Sequence, residues 1–431
     1  MQEIKDLIAT LSQSKADAGQ LMALFAHRIQ TIHGKCAVAL LSTTKLEPKQ
    51  CQITVYVDEH GKPLFNRDSL NKAAEDAPIF TGGFVQNIID FKEPKLLHNT
   101  DPRLNEFFGE YFATELNIVS FPLYLQGTVE KWVLILFNRT VPLQNTDIER
   151  IWLIATLAIN YGFSEDSASK LREANQWIEN ELKAVARIQN LLLPQDLSNT
   201  PGLSVAAQLK PYAQVGGDYY DVTQLTSFIS DVQSDSMQDN WGFMIADASG
   251  HGSAAAVEIA MFDAILRTYP PDIDAGPAGV FNYVNRYLFT RTIRGSFITA
   301  FVSAYFPKDK ILSFCNAGHP APFLKRNGDN SNLIRLDESI GIPLGIIPEG
   351  EWTSASIEFG PGDTLVLFTD GISEAKSEAG DMFGEDRLAE IILLSKNDPN
   401  MILKNIEDAL IHHQQGISQS DDQTLLVVQP H

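Results

Sequence analysis

Acidic residues recur at the ends of apolar stretches in the second half of the chain. The run "WGFMIAD" ends at Asp247, "TLVLFTD" ends at Asp370, and Asp421 and Asp422 come just before "QTLLVV". The apolar runs predict β-strands, and a side chain at a strand end is fixed by the sheet yet open to solvent. Carboxylates fixed in this way predict a site for hard divalent cations, which prefer oxygen ligands.

A further pair of acids, Asp218 and Asp221, lies in "AQVGGDYYDV", directly after Gly216 and Gly217. Each of these acids alone would more often be a turn residue or a helix cap. The motifs GGDYYD, DASGHG, TDG and SDDQT, however, all lie within one domain-sized segment. Their glycines allow sharp turns and close backbone approach, so the combination favours one shared site.

Composition limits the classes of protein and partner. The 431 residues predict two or three domains. With 33 basic and 54 acidic residues the net charge is -21, which repels nucleic acid and anionic membrane surfaces, so we expect neither as a partner. The three cysteines are too few and too scattered for a disulfide framework or a zinc cluster, and they fit a reducing compartment.

Neither the start of the chain nor its longest apolar stretch predicts a membrane segment. The start "MQEIKDLIAT" has no apolar core run, so we expect no secretory signal and a cytoplasmic protein. The longest apolar stretch, "IWLIATLAINYGF" at 151–163, is shorter than the roughly 20 residues that span a bilayer. It predicts a packed helix.

The chain is expected to be α+β, with an α+β sensor domain at 1–164, a helical linker at 165–194 and a second domain at 195–431. In the linker, apolar residues recur every three or four positions and Pro194 is expected to end the helix. Glu181 interrupts the repeat, so the pattern fits either a dimeric coiled coil or an amphipathic helix lying on its own domain. The repeat consists of Leu171, Ala174, Ile178, Val185, Ile188 and Leu192.

The second half of the chain, about 190–429, resembles the SpoIIE/RsbU branch of the PPM metal-dependent serine/threonine protein phosphatases. The resemblance implies an α-β-β-α sandwich with two Mn²⁺ or Mg²⁺ ions at one end. The motifs that carry it are, in order, "QVGGDYYDV", "FMIADASGHGSAAA", "FCNAGHPAPFL", "GIPLGI", "LVLFTDGISEA", "FGEDRL" and "SDDQTLLVV".

The same resemblance implies a site. Asp247 should bridge both ions, the carbonyl oxygen of Ala248 should help to hold one, and Asp218, Asp370 and Asp421 should complete a set that is both metal-binding and catalytic. Asp422 is the alternative to Asp421, although the family spacing from Thr424 favours Asp421, and the role of Asp221 stays open. Two divalent ions would supply a hydroxide-like nucleophile and screen the phosphoryl oxygens.

Two histidines near these motifs are not expected to be catalytic. In the eukaryotic type of this superfamily a histidine closely follows the bridging aspartate, but here Ser249 occupies that place, which argues against His251 as a general acid. His319 in "NAGHP" is predicted to order a loop through hydrogen bonds with the turn around Asn316.

The N-terminal domain resembles a GAF domain through "IVSFPLYLQGTVEKWVLILFN" and "DIERIWLIATLAINYG". The resemblances together imply a cytoplasmic, homodimeric signalling phosphatase that is controlled by an unknown signal at the GAF-like domain. Its substrate would be a phosphorylated STAS-domain anti-sigma-factor antagonist.

The motifs allow two alternatives. "GGDYYD" resembles the GGDEF signature of diguanylate cyclases, but that reading leaves TDG and SDDQT unexplained. A metal-free pseudophosphatase that only binds a partner predicts lost ligands, whereas every expected acid is present.

Overall fold

The computed structural model describes residues 18–43, 46–65, 79–81, 88–100, 116–125, 128–137, 144–225, 240–269, 276–292, 295–328 and 332–431. The chain divides into two compact units, Met1–Gln176 and Trp177–His431. None of the helices within the described ranges is both long and apolar enough to cross a lipid bilayer.

The first unit contains an antiparallel sheet. In its described part the strand order is β3-β2-β1-β7-β6-β5, with β4 also paired to β2. Val38 and Leu40 of β1 pack with Phe25 of the first helix, whereas Ala39 and Leu41 pack on the opposite face. Both faces of the sheet are therefore buried. The elements are α1 (Ala18–His33), β1 (Ala37–Ser42), β2 (Gln50–Val57), β3 (Pro63–Phe65), β4 (Ile79–Thr81), β5 (Lys95–Thr100), β6 (Leu116–Leu125) and β7 (Thr128–Phe137).

A single helix, α2 (Asn145–Leu192), covers both the predicted terminal helix of the first domain and the predicted linker. It is 48 residues long, and the division between the units falls inside it, after Gln176. The helix ends two residues before Pro194, as predicted. Because it runs through both segments, the boundaries at 164/165 and 194/195 stay predictions.

The second unit contains two sheets. The first has the order β15-β12-β11-β10-β9 with β16 beside β12, and the second has the order β14-β13-β17-β18-β8. Their strands are β8 (Leu203–Lys210), β9 (Asp218–Gln224), β10 (Trp241–Ala248), β11 (Ile298–Phe306), β12 (Ile311–Ala317), β13 (Phe323–Lys325), β14 (Leu333–Arg335), β15 (Ile340–Gly341), β16 (Ala355–Glu358), β17 (Thr364–Phe368) and β18 (Gln423–Pro430). The helices are α3 (Ser253–Leu266), α4 (Gly276–Leu288), α5 (Asp370–Ser373), α6 (Glu385–Leu394) and α7 (Pro399–Gln414).

Alternating residues on the strands make three hydrophobic layers. Phe243 and Ile245 of β10 face the second sheet, where Leu365 and Leu426 meet them. The neighbouring Met244 and Ala246 face α3 and α4, and on the other sheet Val366 and Val427 face α6 and α7. Since side chains on a strand alternate between faces, each sheet buries both of its faces. The result is the expected α-β-β-α sandwich.

Candidate metal centre

Two acids of the first sheet, Asp218 and Asp247, lie side by side. Asp218 begins β9 and Asp247 is the penultimate residue of β10, and the two are direct partners across the antiparallel pair. Tyr220 and Ile245, two positions away on each strand, belong to the core between the sheets. By the alternation of side chains, both carboxylates face the same inter-sheet layer, at its end.

Two threonines of the second sheet hold Asp218. Its Oδ2 accepts a hydrogen bond from Thr369 Oγ1 at 2.8 Å and another from Thr424 Oγ1 at 2.6 Å. The backbone N–H of Thr424 in turn donates to Thr369 Oγ1 at 3.0 Å. One carboxylate oxygen is thus fixed from across the sandwich, and the two sheets are joined at the acidic end.

Two further acids, Asp370 and Asp421, lie next to strands of the second sheet at this same end of the sandwich. Asp370 directly follows Thr369 and begins α5, while Asp421 is exposed and lies two residues before β18. Burial, followed by the negative charge of Asp421, raises the pKa of Asp370. The two acids are therefore close enough to repel each other.

Asp247 is surrounded by other acids. Burial raises the pKa of Asp247, and the charges that raise it further are those of four other acids. Burial also raises the pKa of Asp218, against the two threonine hydrogen bonds that lower it. Carboxylates held together in this way favour a cation between them. The four acids are Asp218, Asp370, Asp421 and Asp422.

Asp422 differs from Asp421 in what it contacts. Its Oδ1 accepts from the backbone N–H of Tyr212 at 2.6 Å, and its Oδ2 accepts from the N–H of Gly217 at 2.5 Å. The Asp422 side chain is buried, whereas Asp421 is exposed and its Oδ1 accepts the N–H of Asp422 at 2.8 Å. Asp422 ties the loop before Asp218 to the start of β18.

Two glycines allow the backbone to approach this centre. A Cβ on Gly217 would lie 2.7 Å from the carbonyl oxygen of Ala248 and 3.3 Å from Asp247 Oδ1. A Cβ on Gly371 would overlap the carbonyl oxygen of Asp422. The glycines of GGD and TDG are thus explained by close packing around the acids rather than by turn geometry alone.

Asp221 lies away from the centre. It is three positions beyond Asp218 on β9, so its side chain is on the opposite face, toward the helices. Its Oδ2 is 3.7 Å from a guanidinium nitrogen of Arg267, which also pairs with Asp263 at 2.9 Å. Asp221 belongs to a charged group behind the first sheet.

The histidines occupy structural positions. His319 is buried, and Nδ1 and Nε2 lie 2.9 Å from Thr299 Oγ1 and 3.1 Å from the Phe368 carbonyl oxygen. The backbone N–H of His319 donates to Asn316 Oδ1 at 2.7 Å, which confirms the predicted loop contact. Burial lowers the pKa of His319 to about 3. His251 is exposed and its ring packs edge-on against Tyr212.

The donor set fits divalent cations of the Mn²⁺ or Mg²⁺ type. No group of three or more His, Cys, Asp or Glu side chains in the described part of the chain is spaced to hold a metal ion as it stands. The four predicted ligands, Asp218, Asp247, Asp370 and Asp421, nevertheless converge on one end of the sandwich, beside the Ala248 carbonyl, with only oxygen donors. Hard cations take carboxylate, carbonyl and water oxygens, and Mg²⁺ keeps several waters, so a partial cage suffices.

Three residues at this centre were not predicted from the sequence: Thr369, Thr424 and Gln189. Gln189, near the end of α2, donates through Nε2 to the carbonyl oxygen of Gly216 at 2.8 Å. The N–H of Gly216 also donates to Gln189 Oε1, at 3.3 Å. The threonines stand inside the quoted motifs, "FTD" and "SDDQT", so a signal for them existed, whereas Gln189 lies outside every motif.

The chain is similar in sequence to several known proteins. A family model described as Stage II sporulation protein E (SpoIIE) matches residues 237–431. Phosphoserine phosphatase RsbU of Bacillus subtilis is 26% identical over 352 residues, 79% of this chain and 99% of that protein. Protein IcfG of Synechocystis is 26% identical over 274 residues, 58% of this chain and 41% of that protein.

The fold has a counterpart among solved structures. The SiaA-PP2C domain of Pseudomonas aeruginosa matches with a TM-score of 0.50 and 21% identity, covering 60% of this chain and 98% of that one. At this identity the likeness shows the fold alone, whereas the matched family model and the RsbU relative support the class of enzyme. Residues 237–431 therefore match the SpoIIE family model, and this match and the RsbU relative support a PPM-type protein serine/threonine phosphatase.

Proposed function

We propose that the C-terminal unit removes phosphate from serine or threonine side chains of a signalling protein, using two Mn²⁺ or Mg²⁺ ions. One observation carries the proposal: four carboxylates meet at one end of the sandwich, and the charges that raise the pKa of Asp247 all come from other acids. Such a cluster favours cations, and divalent cations are what phosphomonoester hydrolysis at neutral pH needs.

Asp247 would contact both ions, and the carbonyl oxygen of Ala248 would help to hold one. Asp218, Asp370 and Asp421 would complete the ligand set. Ions bound there would lower the pKa of a coordinated water and screen the charge of the phosphoryl oxygens. Asp421 is preferred to Asp422 because both Asp422 oxygens already accept backbone N–H groups.

Other residues of the chain would keep the ligands in place. Thr369 and Thr424 hold one oxygen of Asp218, which leaves the carboxylate a single orientation. Asp422 fixes the loop that leads into Asp218. A ligand set ordered before the ions arrive loses less entropy on binding, so these contacts would raise metal affinity.

The substrate would be a phosphorylated STAS-domain anti-sigma-factor antagonist. This part of the proposal rests on the resemblance of the motifs to the SpoIIE/RsbU branch, and the relative named phosphoserine phosphatase RsbU supports phosphoserine as the group hydrolysed.

We also propose that a GAF-like N-terminal domain controls the phosphatase through α2 in a homodimer. The predicted seam residues Leu171, Ile178 and Ile188 of α2 are 62%, 48% and 59% exposed, which leaves an apolar stripe for a second copy of the helix. Sedimentation of the full chain tests this point: a dimer is expected, and Leu171→Glu with Ile178→Glu should give monomers. A wild-type monomer at all concentrations would contradict the proposal.

The phosphatase assay decides between the enzyme and a pseudophosphatase that only binds a partner. The full chain is incubated with a phosphoserine protein and with p-nitrophenyl phosphate, with and without Mn²⁺. We expect Mn²⁺-dependent release of phosphate from both, abolished by Asp247→Asn or Asp370→Asn in proteins that keep their circular dichroism. Phosphate release at the wild-type rate by either variant would refute the assigned ligands.

A further inference from the structure

A short loop beside the acidic centre exposes four isoleucines. The isoleucine loop, Ile340–Ile347, carries Ile340, Ile342, Ile346 and Ile347, which are 51%, 39%, 48% and 40% exposed. Exposed apolar side chains grouped on one loop favour contact with another molecule.

Buried side chains hold the backbone of this loop. Asn285 of α4 accepts the N–H of Gly345 at 2.8 Å and donates to the carbonyl oxygen of Ile347 at 2.9 Å. The indole N–H of Trp352 donates to the carbonyl oxygen of Ile342 at 3.0 Å. The isoleucines are therefore presented by an ordered loop, and binding to it costs little conformational entropy.

Leu344 of the isoleucine loop lies two strand spacings from β10, the strand that carries Asp247. Leu344 and Ile298 exchange two backbone hydrogen bonds, of 2.9 and 2.8 Å, and Ile298 is the β11 partner of Ala248. Neighbouring strands are about 4.8 Å apart, so Leu344 is about 10 Å from the backbone next to Asp247. An extended peptide rises about 3.3 Å per residue, so about three residues of a bound substrate cover that distance.

The net charge of the chain does not favour the binding of a phosphoprotein. The chain has a net charge of -21, and a phosphorylated protein brings further negative charge to the site. Away from the metal centre, long-range charge repulsion therefore opposes the approach of the phosphoprotein. Contact between apolar side chains close to the acidic cluster can supply affinity for the phosphoprotein that net charge does not.

We infer that the isoleucine loop is the docking surface for the protein substrate and binds apolar side chains about three to five residues from the phosphoserine. This inference rests on the proposed phosphatase function. The occupant is the substrate itself, because any protein whose phosphoserine reaches the acidic cluster must cover the surface around it. The loop thus selects substrates by the residues that flank the phosphorylated site.

The test compares two phosphoserine peptides of equal charge with the full-length protein and Mn²⁺. One has leucines about three to five positions from the phosphoserine on both sides, and the other has serines there. We expect wild-type kcat/KM to be about tenfold higher for the leucine peptide, which corresponds to about 1.4 kcal/mol. The difference should appear in KM and vanish in an Ile342→Ser, Ile346→Ser double variant.

Two controls isolate docking from chemistry. Ile411→Ser removes an isoleucine that is 59% exposed on α7, which packs on the other sheet, and should keep the leucine preference. Turnover of p-nitrophenyl phosphate, which has no flanking residues, should stay within about twofold in the double variant.

The docking role would be overturned by equal wild-type kcat/KM for both peptides, by a preference that survives in the double variant, or by an equal loss of preference in Ile411→Ser. A double variant that loses p-nitrophenyl phosphate turnover would also overturn it, since the loop would then support the metal site. No Mn²⁺-dependent turnover of p-nitrophenyl phosphate by the wild type would instead refute the proposed function, and docking with it.

Discussion

The side-chain amide of Gln189 and the backbone of Gly216 are joined by two hydrogen bonds. Nε2 donates to the Gly216 carbonyl oxygen at 2.8 Å, and Oε1 accepts the Gly216 N–H at 3.3 Å. Gln189 lies in the last turn of α2, and Gly216 is two residues before Asp218. A movement of this end of α2 must therefore break these bonds or carry the Asp218 loop with it.

Replacing Gln189 should weaken metal binding without unfolding the protein. A hydrogen bond of this kind contributes about 0.5–1.5 kcal/mol, so Gln189→Leu should raise the Mn²⁺ concentration for half-maximal turnover by roughly 2- to 13-fold. Asn190→Ala, at the exposed neighbouring position on the same helix, is the matched control and should leave that concentration unchanged. Equal Mn²⁺ dependence in Gln189→Leu and the wild type would break the proposed link between α2 and the metal centre.

The threonine that bonds Asp218 from β18 should matter for turnover. Thr424→Val keeps the shape of the side chain but removes the hydroxyl that donates to Asp218 Oδ2 at 2.6 Å. We expect kcat to fall about tenfold, which corresponds to about 1.4 kcal/mol, because the carboxylate loses its fixed orientation. Thr424→Ser restores the hydroxyl and should recover most of the rate. A Thr424→Val enzyme with wild-type kcat would show that this bond has no part in catalysis.

The metal-free protein should lose stability as pH rises. Burial and neighbouring acids raise the pKa of Asp247, so the folded protein keeps a proton that the unfolded chain releases above about pH 4. The folded state binds more protons across this range, and its free energy of unfolding therefore falls with increasing pH. In a chelator, the wild-type Tm should be lower at pH 8 than at pH 5.

Asp247→Asn removes this titration and should reduce the loss of Tm between pH 5 and pH 8, although it should also abolish activity. For a unit of this size each kcal/mol corresponds to about 2–4 °C in Tm. Asp408→Asn, at an exposed position on α7, is the control and should follow the wild type. An Asp247→Asn protein with the full wild-type pH dependence would contradict the assigned cause.

The adjacent acids Asp421 and Asp422 should respond differently to the same substitution. Asp421→Asn should weaken Mn²⁺ binding with little change in Tm, because the Asp421 side chain is exposed. Asp422→Asn should lower Tm, because its carboxylate accepts backbone N–H groups from Tyr212 and Gly217 and such bonds contribute about 1.5–3 kcal/mol each. Thermal unfolding and Mn²⁺ titration of both variants measure the two effects. If Asp422 were the metal ligand instead, Asp422→Asn and not Asp421→Asn would weaken Mn²⁺ binding.

The sequence contained enough information for the sandwich and for the acids at its strand ends. Apolar runs ending at Asp247 and Asp370 predicted where the chain leaves each sheet, and family spacing favoured Asp421 over Asp422. The alternation of side chains on a strand could also have excluded Asp221, since a residue three positions beyond Asp218 lies on the other face. That argument needed only the strand assignment of "DYYDVTQ".

The contacts that hold the acids could not be read from the sequence. Thr424 and its partner Asp218 are 206 positions apart, and Gln189 and Gly216 are 27 apart on different elements. No local pattern relates such pairs, because they meet only when the two sheets pack and α2 ends beside them. The continuity of α2 through the predicted linker was likewise hidden, since its apolar repeat changes character without a break in the helix.

Anomalous diffraction from crystals of this protein soaked in Mn²⁺ tests the metal centre most directly. Two peaks are expected at the acidic end of the sandwich, both within bonding distance of Asp247, with Asp218, Asp370 and Asp421 around them. Saturating Mn²⁺ with no peak at these carboxylates, or with its peaks beside Asp221 and Asp263 instead, would contradict the proposed chemistry.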